Sequence, residues 1–382
     1  MFKKYNYIDL NSGKIFVYKN LFIKIIKAKW IFKRPKNKKI LIYDYQAFVK
    51  GTHKILFKNQ KKIDFFHTRF EQINFYVLIV AVINYGFKNL SISYKKTYLE
   101  FVKPKIVFTS LDHDPMFFAL KIIYPNAKYI SDQHGFSKVP GKNWKSSFFF
   151  RCKNIARKLG KKKLEADACF VFNNFEKIWM SKIIDSKFYP YGSTVNNNSL
   201  NKNNFNNNKI LFISTFKDER LKLEKKLFNR IYNFSKKNKM QLGLLSRHDE
   251  SFEKYYRKFY NKTNWKYIPR NKSQKVINEY SIILSTESTL GFEALSKKKK
   301  CVFFLTSYAK KIFNWRFKNE GFFWTCNFTI LNIEKVIKRV LAIKTQNWSQ
   351  KSIFLRNEML RYDKFNKKKK KVVANMLKIP NF

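Results

Sequence analysis

The stretch SIILSTESTLGFEALSKKKKCVFFL, residues 281–305, interrupts an apolar run with Ser285, Thr286, Glu287, Ser288 and Thr289, then resumes with helical spacing. A strand ending near 284 and a helix opening near 288 put this cluster at a helix N-terminus. Backbone N–H groups are unpaired there and the positive end of the helix dipole points outward, so small residues let a phosphate approach. Ser285, Thr286, Ser288 and Thr289 add hydroxyl donors, and Gly291 leaves room for backbone or ligand. Glu293, about one turn further, can accept from two vicinal hydroxyls of a ribose or sugar. Capping the helix would need fewer polar residues than these five.

Two more polar clusters follow apolar runs in the first half, SLDHDP at 110–115 and SDQHG at 131–135. They supply Asp112, His113, Asp114 and His134, residue types that move protons. Neighbours in an extended segment point to opposite sides, so Asp112, His113 and Asp114 are not expected to form a metal triad. In the second half Ser214 and Thr215 end ILFIST, and Arg247 lies in LSRHD, again just past apolar runs.

The runs that must position these residues are short and alternate with longer helical patterns, as in α/β layering. KKILIYDY (38–45), KPKIVFTS (103–110), AKYISDQHG (127–135) and ADACFVFNN (166–174) read as buried strands, with helices at 70–87 and 114–125 among them. The tract STVNNNSLNKNNFNNN, 193–208, has nine Asn in its last thirteen positions and reads as a linker. A second series follows, with strands at 208–215, 240–249, 265–270, 280–286 and 300–305 and helices near 218–237 and 288–297. A terminal helix carries a lysine run that reads as a solvated face. The expected organisation is two α/β domains, 1–192 and 209–382, joined by 193–208, with ligands bound in a cleft outside the carboxyl ends of the strands.

STESTLGFEAL resembles the carboxy-terminal nucleotide-sugar motif of GT-B glycosyltransferases, in particular of bacterial surface-carbohydrate (lipopolysaccharide or capsule) biosynthesis proteins. VKPKIVFTSLDHDPMFFALKIIYPNAKYISDQHG, YPYGSTVNNN, EGFFWT and RYDKFN are similar to the same family in order, over roughly residues 38–370. The resemblance implies a GT-B-like fold of two Rossmann-like domains facing across a cleft. It implies a nucleotide-sugar donor held mainly by the second domain and a saccharide or lipid-linked acceptor held mainly by the first. It implies no metal and no cofactor beyond the nucleotide-sugar co-substrate, with leaving-group charge met by helix N-termini and basic side chains.

The donor set is then Ser214, Thr215, Arg247, Ser285, Thr286, Ser288, Thr289, Gly291 and Glu293. His134 is the expected acceptor base, because an imidazole titrates near working pH and Gly135 keeps space beside it. Asp112 and Asp114 come next. Some retaining GT-B enzymes carry two glutamates separated by seven residues, whereas Cys301 stands eight residues after Glu293, which weakens a retaining assignment and leaves inversion as the expected course. A sugar-nucleotide epimerase or polyol-phosphate transferase of the same fold is the alternative.

The 80 Lys and Arg against 25 Asp and Glu give a formal charge of +55. Only 13 of the 80 are Arg, the better fork for base and phosphate recognition, and no nucleic-acid module is recognisable, so a specific nucleic-acid partner is not expected. Neither GxxxxGK[ST] nor GxGxxG occurs, which disfavours ATP-driven chemistry. Cys152, Cys169, Cys301 and Cys326 are widely spaced, as for buried thiols in a reducing compartment. The start lacks a signal-peptide core, and FYVLIVAVINYGF (75–87) is too short to span a bilayer. A cytoplasmic location is expected, at the inner membrane surface if Lys-rich residues 19–34 or the overall charge meet anionic lipid.

Overall fold

Runs such as ILIY, IVFT, IILS and KCVFF are buried at every position, as strands covered on both faces require. The computed structural model describes residues 23, 25–44, 52–57, 63–68, 71–87, 89–136, 148–198, 208–216, 221–286, 288–312 and 317–377. Glu287 and residues 199–207 of the Asn-rich tract lie outside the described residues.

In chain order the first half supplies β1 (Lys29–Ile31), β2 (Ile40–Tyr43), β3 (Ile63–Phe66), β4 (Gln72–Asn74), β5 (Ile106–Thr109), β6 (Lys128–Asp132), β7 (Leu164–Val171) and β8 (Ile184–Pro190). β1 and β4 form a small parallel pair, and the others form a parallel sheet in the order β3-β2-β5-β6-β7-β8. The second half supplies β9 (Lys209–Ile213), β10 (Gln241–Leu245), β11 (Trp265–Ile268), β12 (Ile282–Ser285), β13 (Lys300–Phe304) and β14 (Trp324–Thr325). Their parallel order, β11-β10-β9-β12-β13-β14, is the doubly wound arrangement whose crevice opens where the winding reverses, here between β9 and β12.

IDFF and IDSKFYP, read as no element above, form edge strands β3 and β8. Both are only partly buried, so neither shows a continuous apolar run. The helix expected over 70–87 is confined to Phe75–Tyr85, because β4 precedes it and Asn74 caps it by accepting from Val77 N–H at 3.0 Å.

The two halves are joined at one place by two chain crossings, and here the sequence reading needs correction. The tract read as a linker begins with a helix, Thr194–Asn198, in which Asn196 and Asn197 are fully buried. Their amides replace water with protein partners. Asn196 Nδ2 donates to Ser296 Oγ at 2.7 Å, and Asn197 Nδ2 to Tyr191 O at 2.8 Å and Asn366 Oδ1 at 3.1 Å. The terminal helix Lys367–Leu377, assigned above to the second domain, packs Val373 and Leu377 against Ile40, Ile42, Phe108, Ile130 and Phe170 of the first sheet.

The lysine run of that helix is not wholly solvated either. Lys369 is fully buried, and its ammonium donates to Asp132 Oδ1 at 2.6 Å, Gly192 O at 2.7 Å and Thr194 Oγ1 at 2.8 Å, which uses all three protons. Gly192 has φ 76, and a Cβ there would lie 1.8 Å from Arg361 O, so the two crossing segments meet backbone to backbone.

Candidate functional site

Strand ends of both sheets face one cleft of about 550 Å³. The first sheet contributes Ser110 after β5 and Asp132, Gln133 and His134 at the end of β6, while the crossing contributes Ser193 and Thr194. The second contributes Ser214 and Thr215 after β9, Ser246 and Arg247 after β10, Arg270 after β11, and Ser288, Thr289 and Glu293 after β12.

His134 Nδ1 lies 2.8 Å from Asp112 Oδ1, and Asp112 is buried behind it. Burial alone would lower the His134 pKa, but the hydrogen bond and charge of Asp112, with Asp132 and the Ser110 carbonyl adding, raise it above the ordinary imidazole value. Burial pushes the Asp112 carboxyl up, yet hydrogen bonds from His113 and His134 bring it down to about 2. An ionised Asp112 accepts the Nδ1 proton, so a neutral His134 ring carries its lone pair on Nε2. Asp112 does not line the cleft; it orients the residue that does.

Asp114 is placed elsewhere. One carboxylate oxygen caps the helix Pro115–Ile123 by accepting from Met116 N–H at 3.0 Å, and the other accepts from Tyr43 OH at 2.9 Å. Asp112, His113 and His134 each offer a ligand atom within 4.8 Å of the others, a three-ligand arrangement that could hold a cation. It differs from the adjacent triad weighed above by taking His134 from the next strand end.

On the facing side, Ser288 caps the helix Thr289–Ser296 by accepting from Leu290 N–H at 3.3 Å. The N-terminus of this helix, with Ser288 and Thr289, therefore opens on the cleft. Glu293 Oε1 accepts from Ser193 Oγ at 3.1 Å, so a residue of the crossing orients the carboxylate. Ser285 is instead buried beneath this helix, and Gly291 is buried on the helix face that packs against it. A Cβ on Gly291 would lie 2.6 Å from Ser285 Oγ and 2.7 Å from Ser285 Cβ, so Gly291 permits close helix–strand packing rather than ligand approach. Thr286 is buried beside Thr215, Glu224 and Thr306, outside the main cleft.

Ser214 and Thr215 do reach the cleft, but their hydroxyls are engaged by the buried Glu224. That carboxylate also accepts from Thr215 N–H at 3.2 Å, Phe216 N–H at 3.1 Å and Tyr260 OH at 2.6 Å, fixing the loop after β9. Glu224 and Arg270 were missed from the sequence. Arg270 obeys the strand-end rule used for Arg247, since it directly follows WKYIP, whereas Glu224 lies inside a helix and carries no such signal.

Residues 218–377 match a family model described as "putative O-antigen biosynthesis protein". No curated protein matches the chain. Among solved structures, sucrose-phosphate synthase from Thermosynechococcus elongatus is similar over 90% of this chain and 100% of its own, at 10% identity and a TM-score of 0.53. UDP-GlcNAc 2-epimerase from Neisseria meningitidis, solved bound to UDP-GlcNAc, is similar over 89% and 99%, at 14% identity and a TM-score of 0.51. Anabaena HepE, solved with UDP-glucose, is similar over 88% and 99%, at 8% identity and a TM-score of 0.52. The chain thus has the GT-B fold of two Rossmann-like domains along its length, and it resembles surface-carbohydrate biosynthesis proteins as STESTLGFEAL implied.

Proposed function

We propose that the cleft transfers a glycosyl group from a nucleotide sugar to a hydroxyl of a saccharide or lipid-linked acceptor in surface-polysaccharide assembly, with inversion and without a metal. The observation that carries this reading is the meeting, in one cleft, of the Asp112-oriented His134 with the Ser288-capped helix bearing Glu293. The fold is shared by proteins solved with UDP-GlcNAc and UDP-glucose, which supports a nucleotide-sugar donor.

In this mechanism His134 Nε2 takes the proton of the acceptor hydroxyl as its oxygen bonds to the anomeric carbon. The bond from that carbon to the donor phosphate oxygen breaks, and the nucleoside diphosphate leaves with the electron pair. The N-terminus of Thr289–Ser296, Arg247 and Arg270 stabilise the departing charge. Glu293, oriented by Ser193, accepts from donor hydroxyls.

Titration with nucleoside diphosphates and nucleotide sugars, paired with single-turnover assays, tests the roles. Glu293→Ala should weaken donor binding about ten- to hundredfold, as for a lost hydrogen bond to a charged group. His134→Ala should lower turnover about 10²–10⁴-fold with donor affinity retained. Normal affinity in the first variant or normal turnover in the second removes that role. Turnover should persist in EDTA; loss reversed by a divalent ion would instead assign an ion to Asp112, His113 and His134. Donor epimerised without any acceptor would replace transfer by epimerisation.

A further inference from the structure

The helix Phe75–Tyr85 is apolar on both sides. Val77 and Ala81, one turn apart, face inward and are fully buried. Phe75, Tyr76, Ile79 and Ile83 stand on the outer side, with Ile83 75% exposed. An ordinary surface helix is polar there. Phe32, exposed beyond β1, packs on Phe75 with ring centroids 5.4 Å apart, and exposed Phe87 extends the patch past the helix end.

A basic strip borders this face. Residues 27–39 carry Lys27, Lys29, Lys33, Arg34, Lys36 and Lys39, all exposed, and contain no acid. Arg34 lies 4.8 Å over the Phe101 ring, whose centroid is 5.4 Å from that of Tyr76, so the strip and the apolar face meet. Asn74 fixes their relation, since its Nδ2 donates to Lys33 O at 2.8 Å while its Oδ1 caps the helix.

We propose that this face docks the protein peripherally on an anionic lipid surface. Phe75, Tyr76, Ile79, Ile83 and Phe32 enter the boundary between headgroups and acyl chains, and the basic strip meets headgroup phosphates. Spanning is not implied. Eleven helical residues reach roughly 16 Å against a hydrocarbon core of about 30 Å. Among the described residues no single helix is long and apolar enough to cross, and the bent pair Phe75–Tyr85 and Leu90–Val102 turns by 113°. A second copy is disfavoured because each chain carries a formal charge of +55, which an anionic surface offsets and a second copy does not. The inference goes beyond sugar transfer and holds whether or not the cleft performs it, since partition onto vesicles needs no turnover.

Co-sedimentation with phosphatidylcholine vesicles, with and without phosphatidylglycerol, tests it at a salt concentration that weakens purely electrostatic adsorption. The full-length chain should bind the phosphatidylglycerol vesicles, and Ile79→Glu/Ile83→Glu should lose at least about tenfold in partition. Ile330→Glu/Leu331→Glu makes the same charge change at apolar side chains on another helix that are at least as exposed, and should keep binding. Circular dichroism checks that both variants fold. Equal loss in the two variants would mean that overall charge alone binds lipid, and overturns the proposal. So does failure of the full chain to bind either vesicle. An oligomer that Ile79→Glu/Ile83→Glu dissolves, without any vesicle binding, would assign the face to a second copy instead.

Discussion

Asp112 acts on the cleft only through His134, and that makes its contribution separable. The carboxylate raises the imidazole pKa against the opposing effect of burial, so the neutral, proton-accepting ring dominates only above a pH higher than the ordinary 6.5. The acid limb of the kcat/KM profile should therefore lie above that value, and Asp112→Asn should move it to lower pH while lowering turnover. An unshifted limb would detach Asp112 from the base. The same raised pKa stabilises the fold fully below about pH 6.5 and progressively less as pH rises through the folded value. That His134 and Arg247 line the cleft was legible because a polar side chain just past an apolar run belongs at a strand end, and Glu293 because it stands about one turn into the helix that follows such an end. Ser285, Thr286 and Asp114 obeyed the strand-end rule and were placed elsewhere, as was Gly291, singled out for the room it leaves. A serine, a glycine or an aspartate has the same type whether it packs, caps or binds, and only the neighbouring helix decides.

Each element named in the donor motif is held from below as well as from above. Gly291 lets the helix Thr289–Ser296 lie on β12, and Ser285 Oγ beneath it has no hydrogen-bond partner among the described residues. Gly291→Ala should cost about 1–3 kcal/mol in thermal or denaturant unfolding through overpacking. Adding Ser285→Gly, which removes the two nearest of the three atoms that the new Cβ meets and leaves Phe303 Cε1 at 3.1 Å, should restore part of it. A stable Gly291→Ala protein with reduced donor affinity would return Gly291 to the binding surface. The strands β2, β5, β6, β7 and the second series were readable because each carries a largely buried apolar stretch, but edge strands β3 and β8 face partly to solvent and lose that signal. Lys369 was misread for a similar reason. Its position one turn before Val373 and two before Leu377 puts it on the buried side of the helix, yet identical lysines on both sides hide the period.

At the scale of the whole molecule, the bond between Lys369 and Asp132 ties the last helix to a strand end that lines the cleft. Lys369→Met should lower stability by about 3–5 kcal/mol in urea unfolding, because it leaves the Asp132 carboxylate buried without its partner. Adding Asp132→Asn should recover part of the loss; full stability in the single variant would show that the pair is dispensable. The double crossing also bears on how the protein is made. One face of the first sheet, with Ile42, Phe108 and Phe170, is completed by Val373 and Leu377. During synthesis the ribosome releases that helix well after β8. At roughly 5–20 residues per second, the first half waits about 10–40 s after β8 has emerged with that face covered in part by Leu56 and Phe57 and otherwise open. The N-terminal half thus completes this part of its core only once residues 367–377 have emerged, and a nascent chain stalled before residue 367 would present part of that face to chaperones or to other chains.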